Sequence, residues 1–296
     1  MSERLTGVFT ALVTPFTEAG ELDEDALRRL ARRQIEGGVA GLVPCGTTGE
    51  APTLTPEEHE RVVTVTVEEA RASARPVRVI AGCGTNDTRK SVHLAELCKR
   101  CGADAALVVT PYYNKPTPKG QLGHYRAVAE AGLPVVIYNV PGRTGVNMLP
   151  ETVLELAEDP RFVAVKEASG SLDQVCEILR ARPARFAVLS GDDSLALPVI
   201  ACGGDGVIAV VSNEAPALLV ELVERALAGD RLPAAALQAR LLPLMRANFR
   251  ESNPIPVKWA VARLGLCGGT VRLPLAPLSA AHQAPLEEAL RTAGLL

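Results

Sequence analysis

Aromatic residues are scarce in this 296-residue chain: five phenylalanines, four tyrosines and one tryptophan. So few rings leave little on which bases could stack. The 31 basic residues stand against 34 acidic ones, a formal net charge of -3 with no general positive field. Nucleic acid is therefore not an expected partner. No apolar run reaches the roughly 18 residues a membrane helix needs. The opening MSERLTGVFTALVTPF lacks the basic start and small-residue cleavage site of a secretory leader, so the expected location is cytoplasmic, with no membrane partner. His59, His93, His124 and His282 match no zinc spacing, and no metal is expected. The seven cysteines are odd in number and scattered through apolar stretches such as VPCG and LAELC. Reduced, buried thiols fit that pattern better than a disulfide framework. Cys98 and Cys101 form a single CxxC at the end of a helical pattern, and without a second pair they read as packing.

What the chain does have is aliphatic residues in a regular arrangement. Short β-branched runs alternate with longer amphipathic stretches. The strand candidates are residues 8–16, 41–46, 77–84, 105–111, 134–141, 162–169, 186–193 and 206–212. They are nearly continuous apolar runs, as parallel strands covered on both faces require. Between them lie helices with start signals: Asp23 before DALRRLARRQIEGG, and Thr55–Pro56 before an acidic first turn. Eight such units by about residue 228 favour an α/β fold, a (β/α)8 TIM barrel, over an open sheet. The remaining segment reads as additional C-terminal helices. The expected organisation is thus a barrel catalytic domain over residues 1–228 and a helical region over 229–296, with no linker between them.

In such barrels chemistry sits on the loops after the strands. Here those positions carry GTTGE (46–50), TPYYN (110–114), YNVPGRTG (138–145), Lys166–Glu167 and GDD (191–193). Of six lysines, Lys90, Lys99, Lys115, Lys119 and Lys258 fall in helical or loop segments and read as solvated surface ammonium groups. Lys166 alone lies within an apolar strand, where a buried ammonium must pair or lose its proton. Glu167 is a poor partner, because neighbours on a strand point to opposite faces. An amine with a depressed pKa is a nucleophile for carbonyls and can form a Schiff base. Tyr138, near the end of the preceding strand, could relay protons to the carbinolamine, with Thr47, Thr48 and Tyr113 extending the relay. Arg143, in a glycine-flanked turn, could bind a carboxylate through both arms of its guanidinium, although a surface arginine is the ordinary alternative in a chain with 25 of them. GTTGE is a candidate anion nest, and without the lysine of a P-loop it does not imply a nucleotide.

GTTGE, TPYYNKPT, YNVPGRTG, VKEASG, SGDD and NPIPVKWA, in this order and spacing, resemble the pyruvate-dependent class I aldolases, the family that includes N-acetylneuraminate lyase. TPYYNKPT, RTGVN and NPIPVK look more like the dihydrodipicolinate synthase branch. The likeness covers roughly residues 5–296. It implies a lyase of the diaminopimelate and lysine pathway that condenses pyruvate with L-aspartate 4-semialdehyde, with a covalent imine of Lys166 and no metal or organic cofactor. It further implies a homotetramer, a dimer of dimers. Residue by residue, the resemblance makes Lys166 the Schiff-base lysine and Tyr138 the proton-transferring phenol. Thr47 and Tyr113 join the relay, Tyr113 reaching the neighbouring subunit's site. Thr48 would hold the pyruvate carboxylate, Arg143 the carboxylate of the semialdehyde, and Gly191 and Ile208 would lie against the keto acid.

Lysine-inhibited members of this family bind the effector at a subunit interface. Here His59, Asn86 and Tyr112 match that site, but Pro56 stands where a second histidine is expected and Lys90 where a glutamate is. A cationic Lys90 repels the effector's ammonium groups, so feedback by L-lysine is expected to be weak or absent. Two alternatives remain open on sequence. One is a related aldolase acting on a sialic or 2-keto-3-deoxy sugar acid; the other is a non-catalytic barrel that binds a keto acid.

Overall fold

A computed structural model describes residues 4–296. Within it every apolar run contributes one strand: β1 (Gly7–Ala11), β2 (Gly41–Val43), β3 (Arg78–Gly82), β4 (Ala105–Val109), β5 (Val135–Asn139), β6 (Phe162–Glu167), β7 (Ala187–Ser190) and β8 (Gly206–Ala209). Each pairs in parallel with the next, and β8 returns to β1 through Val8↔Val207 and Phe9↔Ile208. The sheet is a closed barrel, so among the described residues no edge strand of it is left to pair with another chain.

Helices fill the connections: α1 (Glu24–Glu36), α2 (Pro56–Arg71), α3 (Thr88–Arg100), α4 (Pro118–Ala129), the short α5 (Pro141–Thr144), α6 (Pro150–Ala157), α7 (Leu172–Ala181), the short α8 (Ala196–Ala201) and α9 (Pro216–Ala228). Their starts follow the chemistry of the sequence. Asp23 accepts the amide of Ala26 at 2.9 Å, and Thr55 exchanges side-chain and backbone bonds with Glu58 in a capping box. Beyond α9 the chain adds α10 (Arg231–Ala247), α11 (Ile255–Arg263) and α12 (Ala280–Ala293), with α10 packed on both α9 and α12. Among the described residues no helix is long and apolar enough to cross a membrane.

The period of two along each strand separates two apolar layers. Val8, Val135, Ile137, Val165, Val188 and Val207 face the helices. Phe9, Ala11, Val136, Tyr138, Ala164, Leu189 and Ile208 fill the barrel interior. Lys166 shares the parity of Ala164 and therefore points inward, while Glu167 points out.

The strands are shorter than the apolar runs, at their carboxyl ends above all. The run 41–46 is a strand only to Val43, and the run 8–16 only to Ala11. Val13, Cys45, Cys83 and Val211 lie beyond the ladders yet are buried. The mouth of the barrel is packed, so apolar composition continues where ladder bonding has stopped. Pro44, Pro111 and Pro141, which cannot donate to a ladder, and Cys45, at φ 55°, turn the chain out of the sheet.

Candidate active site

Strand register brings the central pair together. Tyr138 on β5 lies opposite Lys166 on β6, both on the inward face, and the Lys166 Nζ stands 4.2 Å from the centre of the tyrosine ring. Lys166 is 5% exposed and makes no ion pair among the described residues. Glu167 is held on the other face, where Asn139 and Gln174 donate to its carboxylate and it accepts the Ser169 amide at 2.7 Å. A structural Lys166–Glu167 pair is therefore absent. Behind the lysine, a Cβ added at Gly191 would fall 2.7 Å from the Ala168 Cβ and 3.0 Å from the Lys166 Cγ. Only glycine fits against the lysine stem there. Ile208 is fully buried in the same interior layer as Tyr138.

A cavity of about 350 Å³ opens over this end of the barrel. Thr47, Tyr138, Arg143 and Asn253 contribute to its wall. Thr48, Lys166, Gly191 and Ile208 are not among its lining residues. In the GTTGE turn, the amides of Gly49, Glu50 and Ala51 close onto carbonyls of Gly46 and Thr47. Among the described residues the Thr47 and Thr48 amides donate to no protein acceptor, which leaves two adjacent donors in the turn, the arrangement an anion nest requires.

The relay expected from sequence differs in its details. The Thr48 hydroxyl accepts from Asn253 Nδ2 at 2.9 Å and is not bonded to Tyr138. Tyr113 is 87% exposed, at φ 72°, and within one chain it does not reach Tyr138. A β-branched or aromatic residue at positive φ is uncommon and marks a backbone held by its surroundings. Arg143 is exposed at the rim on α5 and donates to the Asn253 carbonyl at 3.3 Å.

Two residues important to this geometry were missed or misjudged on sequence. Asn253 touches both Thr48 and Arg143, and its Oδ1 is buried without a partner. The only sequence signal for it was its place in NPIPVKWA. Lys258, expected to be a solvated surface group, is fully buried on α11. Its ammonium lies 2.5 Å from Glu50 Oε1, donates to the Thr270 carbonyl at 2.6 Å and stands over the Phe16 ring at 4.1 Å. Glu50 also accepts the Arg272 amide at 3.0 Å. A helical position says nothing of burial when a loop 200 residues earlier closes over it. Burial pulls the Lys258 ammonium below its ordinary range, and the Glu50 carboxylate opposes that pull. This pair anchors the GTTGE turn, in which Glu50 itself takes φ 53°.

The buried acids near the site are held neutral more easily than usual. Burial pushes the Asp193 carboxyl up to about 6, against the bonds it accepts from the Val210 and Val211 amides and the charge of Lys166. Glu214 is raised further by the same cause, although Asn248 donates to it.

The residues matched to an effector site are scattered differently. His59 and Tyr112 line the same continuous cavity as Arg143. Asn86 and Lys90 do not; Lys90 is exposed on α3, and Pro56 opens α2. His59 lies on the buried side of α2.

Residues 4–293 match the family described as the dihydrodipicolinate synthetase family. A 4-hydroxy-tetrahydrodipicolinate synthase from Maridesulfovibrio salexigens is 51% identical over 98% of this chain and 99% of its own length. Among solved structures, the chloride-inhibited dihydrodipicolinate synthase from Acinetobacter baumannii, complexed with pyruvate, superposes with a TM-score of 0.95. It is 43% identical, over 98% of this chain and 99% of that one. The enzyme from Cyanidioschyzon merolae with lysine bound gives a TM-score of 0.95 at 40% identity, covering all of both chains.

Proposed function

The chain belongs to the dihydrodipicolinate synthetase family, and from that premise we propose that it condenses pyruvate with L-aspartate 4-semialdehyde to 4-hydroxy-tetrahydrodipicolinate. The observation that carries the reading is the inward-facing Lys166, buried beside the Tyr138 phenol with no carboxylate paired to it.

The Lys166 amine attacks the keto carbon of pyruvate, and loss of water leaves an imine. That cationic nitrogen is the electron sink, so loss of a methyl proton gives an enamine without help from a cofactor. The enamine carbon attacks the aldehyde. The semialdehyde's own amine then adds to the imine carbon, closes the ring and expels Lys166. Tyr138 carries the protons of the carbinolamine, and Thr47 continues that relay. The nest formed by Thr47 and Thr48 receives the pyruvate carboxylate. Arg143, at the rim, receives the carboxylate of the semialdehyde.

Tyr113, exposed and held at positive φ, is the residue we assign to a neighbouring subunit's relay, in a homotetramer built as a dimer of dimers. Cysteines without disulfide partners support a reducing, cytoplasmic setting.

Borohydride trapping with pyruvate tests the reading. The expected result is a stable adduct that peptide mapping places on Lys166. Protein without an adduct, or an adduct on another lysine, removes the basis of every role above and leaves a non-catalytic keto-acid-binding barrel as the better account.

A further inference from the structure

Asn253 stands between the groups assigned above to the two carboxylates. It lies just before α11, is buried and lines the cavity. Its Nδ2 donates to the Thr48 hydroxyl at 2.9 Å, and its backbone carbonyl accepts from Arg143 at 3.3 Å. Both ends of the contact with Thr48 are tied down. Lys258 on α11 pairs with Glu50 in the turn that holds Thr48, and the Lys258 amide donates to the Pro254 carbonyl at 3.0 Å. The spacing between Asn253 and Thr48 is therefore set by the fold.

A threonine hydroxyl carries one proton and can accept as well as donate. That of Thr48 accepts from Asn253, and among the described residues it donates to no protein group. Its proton is left for an acceptor that the protein does not supply. The other end of the Asn253 amide, Oδ1, is buried without a partner. Turning the amide over would put two N–H donors in that place, and buried donors without partners are rarer than such carbonyls. The donor end of the amide therefore belongs on Thr48.

We propose that Asn253 is a positioning residue for pyruvate: its amide holds the Thr48 hydroxyl as an acceptor and so aims the hydroxyl proton at the pyruvate carboxylate. The inference rests on the reading above that the nest of Thr47 and Thr48 receives that carboxylate. The keto acid then meets three donors, the two amides of the nest and this hydroxyl. An N–H given to the hydroxyl oxygen also polarises its O–H, which makes it a stronger donor to a charged acceptor. Asn253 acts through Thr48, and its carbonyl, which every variant retains, continues to serve Arg143.

The test is the initial rate of borohydride-trapped adduct on Lys166 of the full-length protein, followed by mass over a range of pyruvate concentrations. Asn253→Leu should raise half-saturating pyruvate about tenfold or more, the weight of one bond to a charged group, and Thr48→Val should do the same. The double variant should stay within about twofold of Thr48→Val, because the second change removes nothing further. Independent effects would multiply to about a hundredfold and overturn the proposal. Asn253→Asp keeps the shape but takes the Thr48 proton itself, so it too should weaken pyruvate about tenfold or more. Unchanged half-saturation in Asn253→Leu, in Asn253→Asp or in Thr48→Val would equally overturn it. So would an equal rise in KM for pyruvate and semialdehyde in Asn253→Leu, the mark of a loosened segment. Should Asn253→Leu fail to fold, Asn253→Asp and Thr48→Val still decide. An unaltered protein that forms no adduct refutes the proposed function and this inference together; an adduct whose pyruvate dependence ignores Asn253 refutes this inference alone.

Discussion

Replacing Lys258 by methionine removes one half of the fully buried ion pair with Glu50 and keeps most of its volume. Glu50 is then left with the Arg272 amide as a partner and a carboxylate that is almost fully buried. Breaking a buried pair from one side costs about 3–5 kcal/mol, most of it the uncompensated charge. Glu50→Gln should cost less, because burial already favours the neutral amine and the released lysine can lose its proton. The double variant Lys258→Met/Glu50→Gln carries no buried charge and keeps an acceptor for Arg272, so it should recover most of the loss. Both Lys258→Met proteins leave the Thr270 carbonyl without its donor, a shared penalty that cancels in the cycle. The coupling energy should therefore be at least about 2 kcal/mol. Urea unfolding of the four proteins at pH 7.5 measures it, and pyruvate trapping by borohydride reports whether the GTTGE turn survives. A coupling below about 0.5 kcal/mol, within the error of simple additivity, would refute the claim that this pair anchors the turn.

Arg143→Ala should raise KM for the semialdehyde roughly ten- to hundredfold, the value of one charged hydrogen-bonded contact, and leave KM for pyruvate nearly unchanged. Equal effects on both substrates in steady-state kinetics would move Arg143 out of the proposed role. His124 is buried with Nε2 unpartnered, and burial lowers it from 6.5 to about 4, with Asp87 opposing. Between those values the unfolded chain binds a proton that the native chain refuses, so stability falls as pH drops from 6.5 toward 4, by about 3 kcal/mol at most. His124→Asn should flatten that slope in denaturant titrations run between pH 4 and 7. L-lysine at millimolar concentration should leave turnover almost unchanged, given an exposed Lys90 where an acid would be needed; half-inhibition below one millimolar would contradict this.

The barrel was legible because eight strands covered on both faces need eight runs of aliphatic residues, and nothing else in the chain imitates them. The inward aim of Lys166 was legible for a related reason: the period of two fixes its face once Ala164 and Val165 are assigned to opposite layers. Strand ends were not, since a residue such as Cys45 or Val13 is buried by loops rather than by a ladder, and composition records burial alone. Lys258 failed more instructively. Its helix gives no periodic warning, and its partner Glu50 lies 208 positions away. Asn253 hides in the same way, bonded to Thr48 across 205 positions. Local pattern carries secondary structure, whereas contacts of that span are decided by the closed fold.

The bonds from Asn253, Lys258 and Arg272 back to the GTTGE turn also set an order of events during synthesis. A chain emerging from its amino end can form β1 through β7 while the turn at 46–50 is still untethered. Closure awaits β8, and the turn's anchors arrive only with the last fifth of the sequence. Until then Thr48 lacks its amide partner and Glu50 its ammonium. Contacts this distant in sequence are paid for late, and they slow the final step more than the early ones. From β8, which ends at Ala209, until Arg272 has been added, the nascent chain thus holds all eight strands while its GTTGE turn still lacks anchors.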